Sequence, residues 1–386
     1  MKYLIETALC KHPTLPMNQR ILATIALWLA AQFGALTYPL LAQGQRGGRA
    51  NEDQPISGLI NPRAVEFSPA TGKVYTVDPD SNAITIGDDE SGRLASVKVG
   101  SSPVSIAANS QNGNVYVVNA GDGTVSIVDG HTDAVVTTVK VGIHPYSITV
   151  NSMTGKVYVS HTFNSLLTII DGATNGATNI KTGSADLISV DTKTGIIYLL
   201  GYEGGSLKLM NGADSNIIER TVGMHAWGMT LNETTGTLYV AKPGYSQLAI
   251  LTPSSSTPMM VPTGAIPCAV AVNSVTNRIY VLNYADDSVT VIDGVNNHPV
   301  ATVPVGRRPQ AIAIDPTRNR IYVANTHSNS ITVIDGESNR VLSTLPAGKS
   351  PYALAVNVKA GKLHVANLDK TPFTIIDLRQ ISKTAP

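Results

Sequence analysis

Gln310-Ala-Ile-Ala-Ile-Asp315, Arg320-Ile-Tyr-Val-Ala-Asn325, Ser330-Ile-Thr-Val-Ile-Asp335 and Arg340-Val-Leu-Ser-Thr-Leu345 follow one another in a single run of the chain. Each alternates apolar with polar or small residues, the period-two mark of a strand with two distinguishable faces. Pro316-Thr-Arg-Asn319 and Asp335-Gly336, which separate them, are good turn formers. The run predicts four short antiparallel strands. One such sheet cannot bury both faces alone, so neighbouring copies must supply the core.

The copies are present on either side. A unit built as Gly-x-x-Pro, an alternating run, a polar turn, Tyr-Val-x-Asn and Val-x-Val-Ile-Asp-Gly recurs eight times. Its tyrosine column holds Tyr75, Tyr116, Tyr158, Tyr198, Tyr239, Tyr280 and Tyr322, with His364 in the eighth copy, at spacings of 40 to 42 residues. Half of the 14 tyrosines therefore occupy one repeat position, which makes the register firm. The expectation is an all-β β-propeller of four-stranded antiparallel blades over residues 58–386, eight blades, with seven as the alternative. Only seven fourth strands are legible. The missing one is expected either from residues 54–57, ahead of the first blade, or from residues 379–383, because an open ring would leave an unpaired edge.

Composition agrees. The 386 residues carry 28 Lys+Arg against 27 Asp+Glu, 14% charged residues in all, with 33 Gly and 22 Pro. This excludes disorder and coiled coil, and the charge balance argues against nucleic acid as a partner. Two cysteines make neither a disulfide framework nor a Cys-based zinc site. Residues 21–31, apolar behind Arg20, read as the core of a signal peptide over residues 1–42, with Met17 as an alternative start and cleavage after Ala42. Residues 43–57 read as a linker and candidate closing strand. The expected product is exported, periplasmic or extracellular, with no stable membrane span after cleavage.

Tyr116-Val-Val-Asn119, Tyr280-Val-Leu-Asn283 and Tyr322-Val-Ala-Asn325, each followed by a Val-Asp-Gly or Ile-Asp-Gly turn, resemble the YVTN family of β-propeller repeats across about residues 58 to 386. The resemblance implies an exported propeller related in shape to surface-layer proteins. Through more distant relatives it extends to the propellers of nitrous oxide reductase, the cytochrome with haem d1 and amine dehydrogenase.

Function is expected where loops from fourth to first strand and from second to third strand share one face. The rim candidates read from these columns are Arg63, His144, Tyr146, His161, His225, Trp227, Lys242, Arg308, Gln310 and Tyr352. Aromatics, His and Arg on a rim suit a small ligand, a surface polymer or a protein partner. Asn119, Asn283, Asn325 and Asn367 share one column and read as structural. His144, His161 and His225 carry the alternative of a metal-assisted lyase or lactonase, or an electron-transfer partner, if they converge on one ion. No cofactor is otherwise expected. No Cys-x-x-Cys-His or Gly-x-Ser-x-Gly motif is present, and the preferred reading is a non-enzymatic binding scaffold.

Overall fold

The structure is a computed structural model and describes residues 65–201, 205–368 and 374–381. Contacts divide the chain into residues 1–58 and residues 59–386, and every described residue belongs to the second unit. The expected signal peptide, the linker, the 54–57 closing strand and Arg63 lie outside the described residues.

The second unit is a β-propeller of eight antiparallel blades. In chain order they are β1–β4 (65–98), β5–β8 (103–140), β9–β12 (145–181), β13–β16 (187–221), β17–β20 (228–262), β21–β24 (267–304), β25–β28 (309–346) and β29–β31 (351–377). Seven sheets have four strands and the eighth has three among the described residues. The expected strand at 379–383 is not formed where it is described. Asp377 instead caps a 3₁₀ turn, Leu378–Gln380, by accepting the Arg379 N–H, and Leu378 turns into the core. Residues 382 and 383 lie outside the described residues.

Period two describes the outer strands better than the inner ones. β4 (Leu94–Lys98) alternates strictly between exposed and half-buried residues. By contrast Arg320, Ile321, Tyr322, Val323, Ala324 and Asn325 of β26 (Arg320–Asn325) are all buried. A second strand is covered on both faces by the neighbouring blades, so no side of it needs to be polar. Each tyrosine of the repeat column crosses to the next blade. The Tyr75 hydroxyl donates to the Gly130 carbonyl at 3.4 Å, and the Tyr116 and Tyr158 hydroxyls lie against Gly172 and Gly212. Turns close on carboxylates as expected: Asp129 Oδ1 accepts the backbone N–H of His131 and Thr132, which holds its pKa below the usual 3.8.

The ring closes face to face. Tyr352, Ala353, Ala355 and Ala366 of the eighth blade share one apolar cluster with Val65, Val74 and Tyr75 of the first. Across the same seam the buried Asp89 carboxylate accepts from Asn357 Nδ2 at 2.7 Å and His364 Nε2 at 2.9 Å, with Lys362 Nζ 3.3 Å away.

Candidate functional site

The rim begins with a bracket that the asparagine column builds. Asn283 is fully buried; its Nδ2 donates to Ser288 Oγ and Thr290 Oγ1, and its Oδ1 accepts the Gly264 N–H at 3.1 Å. Asn119, Asn325 and Asn367 make the same reach to Ser126, Thr332 and Thr374, seven residues on. Asn283 thus ties the second strand to the third and to the incoming loop, whereas Asn119, Asn325 and Asn367, whose Oδ1 atoms are buried without a hydrogen bond, tie second strand to third only. Glycine is required above it: a Cβ on Gly306 would sit 2.6 Å from the Asn325 side chain. Gly306→Ala is therefore expected to cost about 1–3 kcal/mol through overpacking, measured by urea unfolding at pH 7.5. An unchanged midpoint would refute the bracket.

His161 and Lys242, expected on the open rim, are placed inside this bracket instead. His161 is fully buried, with Nδ1 2.9 Å from the Ile143 carbonyl and Nε2 2.8 Å from Thr168 Oγ1, again seven residues on. A carbonyl only accepts, so Nδ1 carries the proton. Burial pushes the pKa of His161 down, with the His144 charge adding to that, against the Ile143 hydrogen bond. Lys242, 1% exposed, donates to the Val222 carbonyl at 2.9 Å and to the Gly223 carbonyl, below the Tyr245 ring at 5.5 Å. Burial lowers its pKa to about 8. The fourth blade uses a third variant: Gly201 stands in the asparagine column, and Lys208 on the third strand brings its Nζ against Gly183. His161 thus ties both the third strand and the incoming loop, whereas Lys242 holds the incoming loop.

The three histidines are not brought together. His144 is exposed and His225 half-buried, each with positive φ (54° and 60°) in its loop, and a whole blade stands between them. Among the described residues no three His, Cys, Asp or Glu side chains form a group that could hold a metal ion.

The structure does gather other candidates. Trp227 of the fifth blade packs, half-buried, against a cluster containing Cys268 and Tyr284 of the sixth. Arg308 of the seventh lies over the Tyr284 ring, 4.8 Å from its centroid, and Gln310 hydrogen-bonds the Tyr284 hydroxyl. Tyr284 escapes the sequence columns because it stands one residue beyond Asn283, in a column that also holds Pro79, Ala120, Thr162, Tyr202, Pro243, Thr326 and Leu368; its aromatic size, shared there with Tyr202, was the available signal. Cys268 is a neutral buried thiol, pushed up to about 12 by burial, with Sγ donating to the Pro309 carbonyl at 3.4 Å. Elsewhere on the mouth, burial and then the Asp186 charge raise the Tyr146 pKa. Burial and then the Asp78 charge bring Tyr352 to about 12.

Large apolar side chains are also exposed on this face. Phe163 is 89% exposed, and Ile143, Met224, Tyr245 and Leu368 are exposed too. All but Leu368 belong to the loops of the third and fifth blades.

No protein-family model matches the chain, and no curated protein matches its sequence. Solved structures do match. Dihydro-heme d1 dehydrogenase NirN in complex with DHE aligns at TM-score 0.69 and 14% identity over 82% of this chain and 73% of its own. Hydrazine synthase of Kuenenia stuttgartiensis aligns at TM-score 0.57 and 16% identity over 87% and 100%. Virginiamycin B lyase from Staphylococcus aureus aligns at TM-score 0.56 and 13% identity over 69% and 92%. At such identities the likeness establishes the propeller and nothing about chemistry. Among the described residues no helix is long and apolar enough to cross a membrane.

Proposed function

We propose that this chain is an exported propeller of the YVTN type that serves as a binding scaffold, holding a partner protein against its loop face. The observation that carries the reading is the arc of Ile143, Phe163, Met224 and Tyr245, exposed apolar side chains on the loops of the third and fifth blades. Soluble proteins rarely leave such side chains grouped on one face unless something covers them, and aromatic anchors contribute most to association. The metal-assisted alternative needed His144, His161 and His225 on one ion, and their placement does not support it. Export is supported by Arg20 and the apolar stretch behind it.

The test is cross-linking of the tagged chain in its own cell envelope, followed by comparison of two paired variants. Phe163→Asp with Tyr245→Asp is expected to reduce the cross-linked species at least ten-fold. Val275→Asp with Val295→Asp, exposed apolar positions in first-to-second and third-to-fourth strand loops, is expected to leave it unchanged. Equal loss in both pairs, or in neither, would sink the reading.

A further inference from the structure

We infer that the mouth between the fifth and seventh blades is a subsite for a hydroxylated ring carboxylate, a uronic sugar, recognised by Arg308, Gln310, Tyr284 and Trp227. The inference rests on the loop face being the binding face, but on different side chains from the apolar arc.

Arg308 is half-buried over the Tyr284 ring, and among the described residues its guanidinium makes no ion pair or hydrogen bond. Its neighbouring carboxylates are engaged elsewhere: Asp287 Oδ1 accepts the Arg308 backbone N–H at 2.7 Å, and Asp286 Oδ2 accepts the Ala265 N–H at 2.6 Å. A partly desolvated guanidinium held over an aromatic ring still carries its planar fork, and a carboxylate matches that fork in two parallel hydrogen bonds. Gln310 supplies the second demand. Its Oε1 is buried with no donor, while its amide group serves the Tyr284 hydroxyl. A buried acceptor left unmade costs about 1–3 kcal/mol, so a ligand O–H that reaches it is favoured. Trp227, half-buried against the same cluster, adds an indole beside them, the kind of apolar side chain on which a pyranose stacks.

Carboxylate, hydroxyl and flat apolar face occur together in a uronic sugar. Phosphate is disfavoured, because with Asp286 and Asp287 beside Arg307 and Arg308 a dianion would leave the mouth more negative than a single carboxylate does.

The experiment uses the full chain carrying Trp28→Phe, which leaves Trp227 as its sole tryptophan. Its fluorescence is titrated with galacturonate, a galacturonate hexamer, the corresponding neutral galactose compounds and inorganic phosphate. A saturable change with a galacturonate compound, at least ten-fold tighter than with its neutral counterpart, is expected. Response to the monomer would identify a single sugar as sufficient, and response to the hexamer alone would identify a polymer. Arg308→Lys, which keeps the charge and loses the fork, and Arg308→Gln are expected to weaken binding ten-fold or more, and Arg307→Gln by less than two-fold. Gln310→Leu is expected to weaken it severalfold. Absence of saturation, tighter binding of phosphate or the neutral sugars, or unchanged affinity in both Arg308 variants would overturn the inference. Those results leave the cross-linking comparison of the apolar arc untouched, so the two readings fail separately.

Discussion

Replacing His364 by tyrosine, which restores the repeat residue to the eighth blade, is expected to destabilise the protein by about 3 kcal/mol rather than improve it. In the first three seams the tyrosine hydroxyl lies against a turn glycine of the next blade. A Cβ on Gly130 would come within 2.5 Å of the Tyr75 hydroxyl, and one on Gly172 or Gly212 within 3.0 Å of its tyrosine. At the closing seam that turn position is Asp89, whose side chain is 3% exposed and occupies the corresponding space. The shorter imidazole makes room for the carboxylate and donates to it. Tyrosine would collide with Asp89 and leave the carboxylate with only Asn357 and Lys362. Asp89→Gly alone is also destabilising, because it strips His364 and Asn357 of their acceptor and Lys362 of its counter-charge. The double variant rebuilds the glycine–tyrosine contact of the other seams and is expected to recover about 2 kcal/mol relative to the sum of the single changes. Urea unfolding of the four proteins measures this coupling. Simple additivity would show that the two residues do not form one closing contact.

Acid is expected to weaken the fold in two separate windows. Burial lowers the pKa of both His161 and His364 from the ordinary 6.5; for His364 this outweighs the Asp89 carboxylate, and Lys362 adds to the lowering. Both imidazoles are therefore neutral when folded. Below about 6.5 the unfolded chain takes up protons that the folded chain refuses, so stability is complete above that value and falls as pH drops from it towards the folded pKa values. The slope is at most about 1.4 kcal/mol per pH unit for each histidine. Asp129 and Asp171, lowered from 3.8 chiefly by backbone N–H donors, contribute stability that is lost only as pH falls from 3.8 through their folded values. Urea midpoints between pH 7.5 and 5.0 check the first window. His161→Asn, which returns the repeat residue to the bracket, is expected to flatten the profile by up to one proton. A profile that is level, or that rises as pH falls towards 5, would contradict the burial of neutral imidazoles.

Both results depend on residues whose place in the repeat was readable but whose partner was not. The tyrosine column identified His364 as an exception, yet nothing within its own unit names Asp89, 275 positions away. His161 and Lys242 stood out against four asparagines, and their chemistry suggested an open rim. The structure shows instead that both side chains are buried, with imidazole and ammonium donating to carbonyls of the incoming loop where Asn283 accepts a loop N–H.

Sequence alone determined the blade: the 40-to-42-residue register, the alternating strands, the Asx turns and the eight copies of the unit. These are local or periodic properties, and each is encoded within one unit. Tertiary structure decided which side chains meet across the seams: Arg308 over Tyr284, Trp227 against the sixth blade, His364 on Asp89. Those contacts arise from stacking the units around an axis, which places residues tens to hundreds of positions apart within a few ångströms, and a repeat carries no information about its neighbour's exceptions.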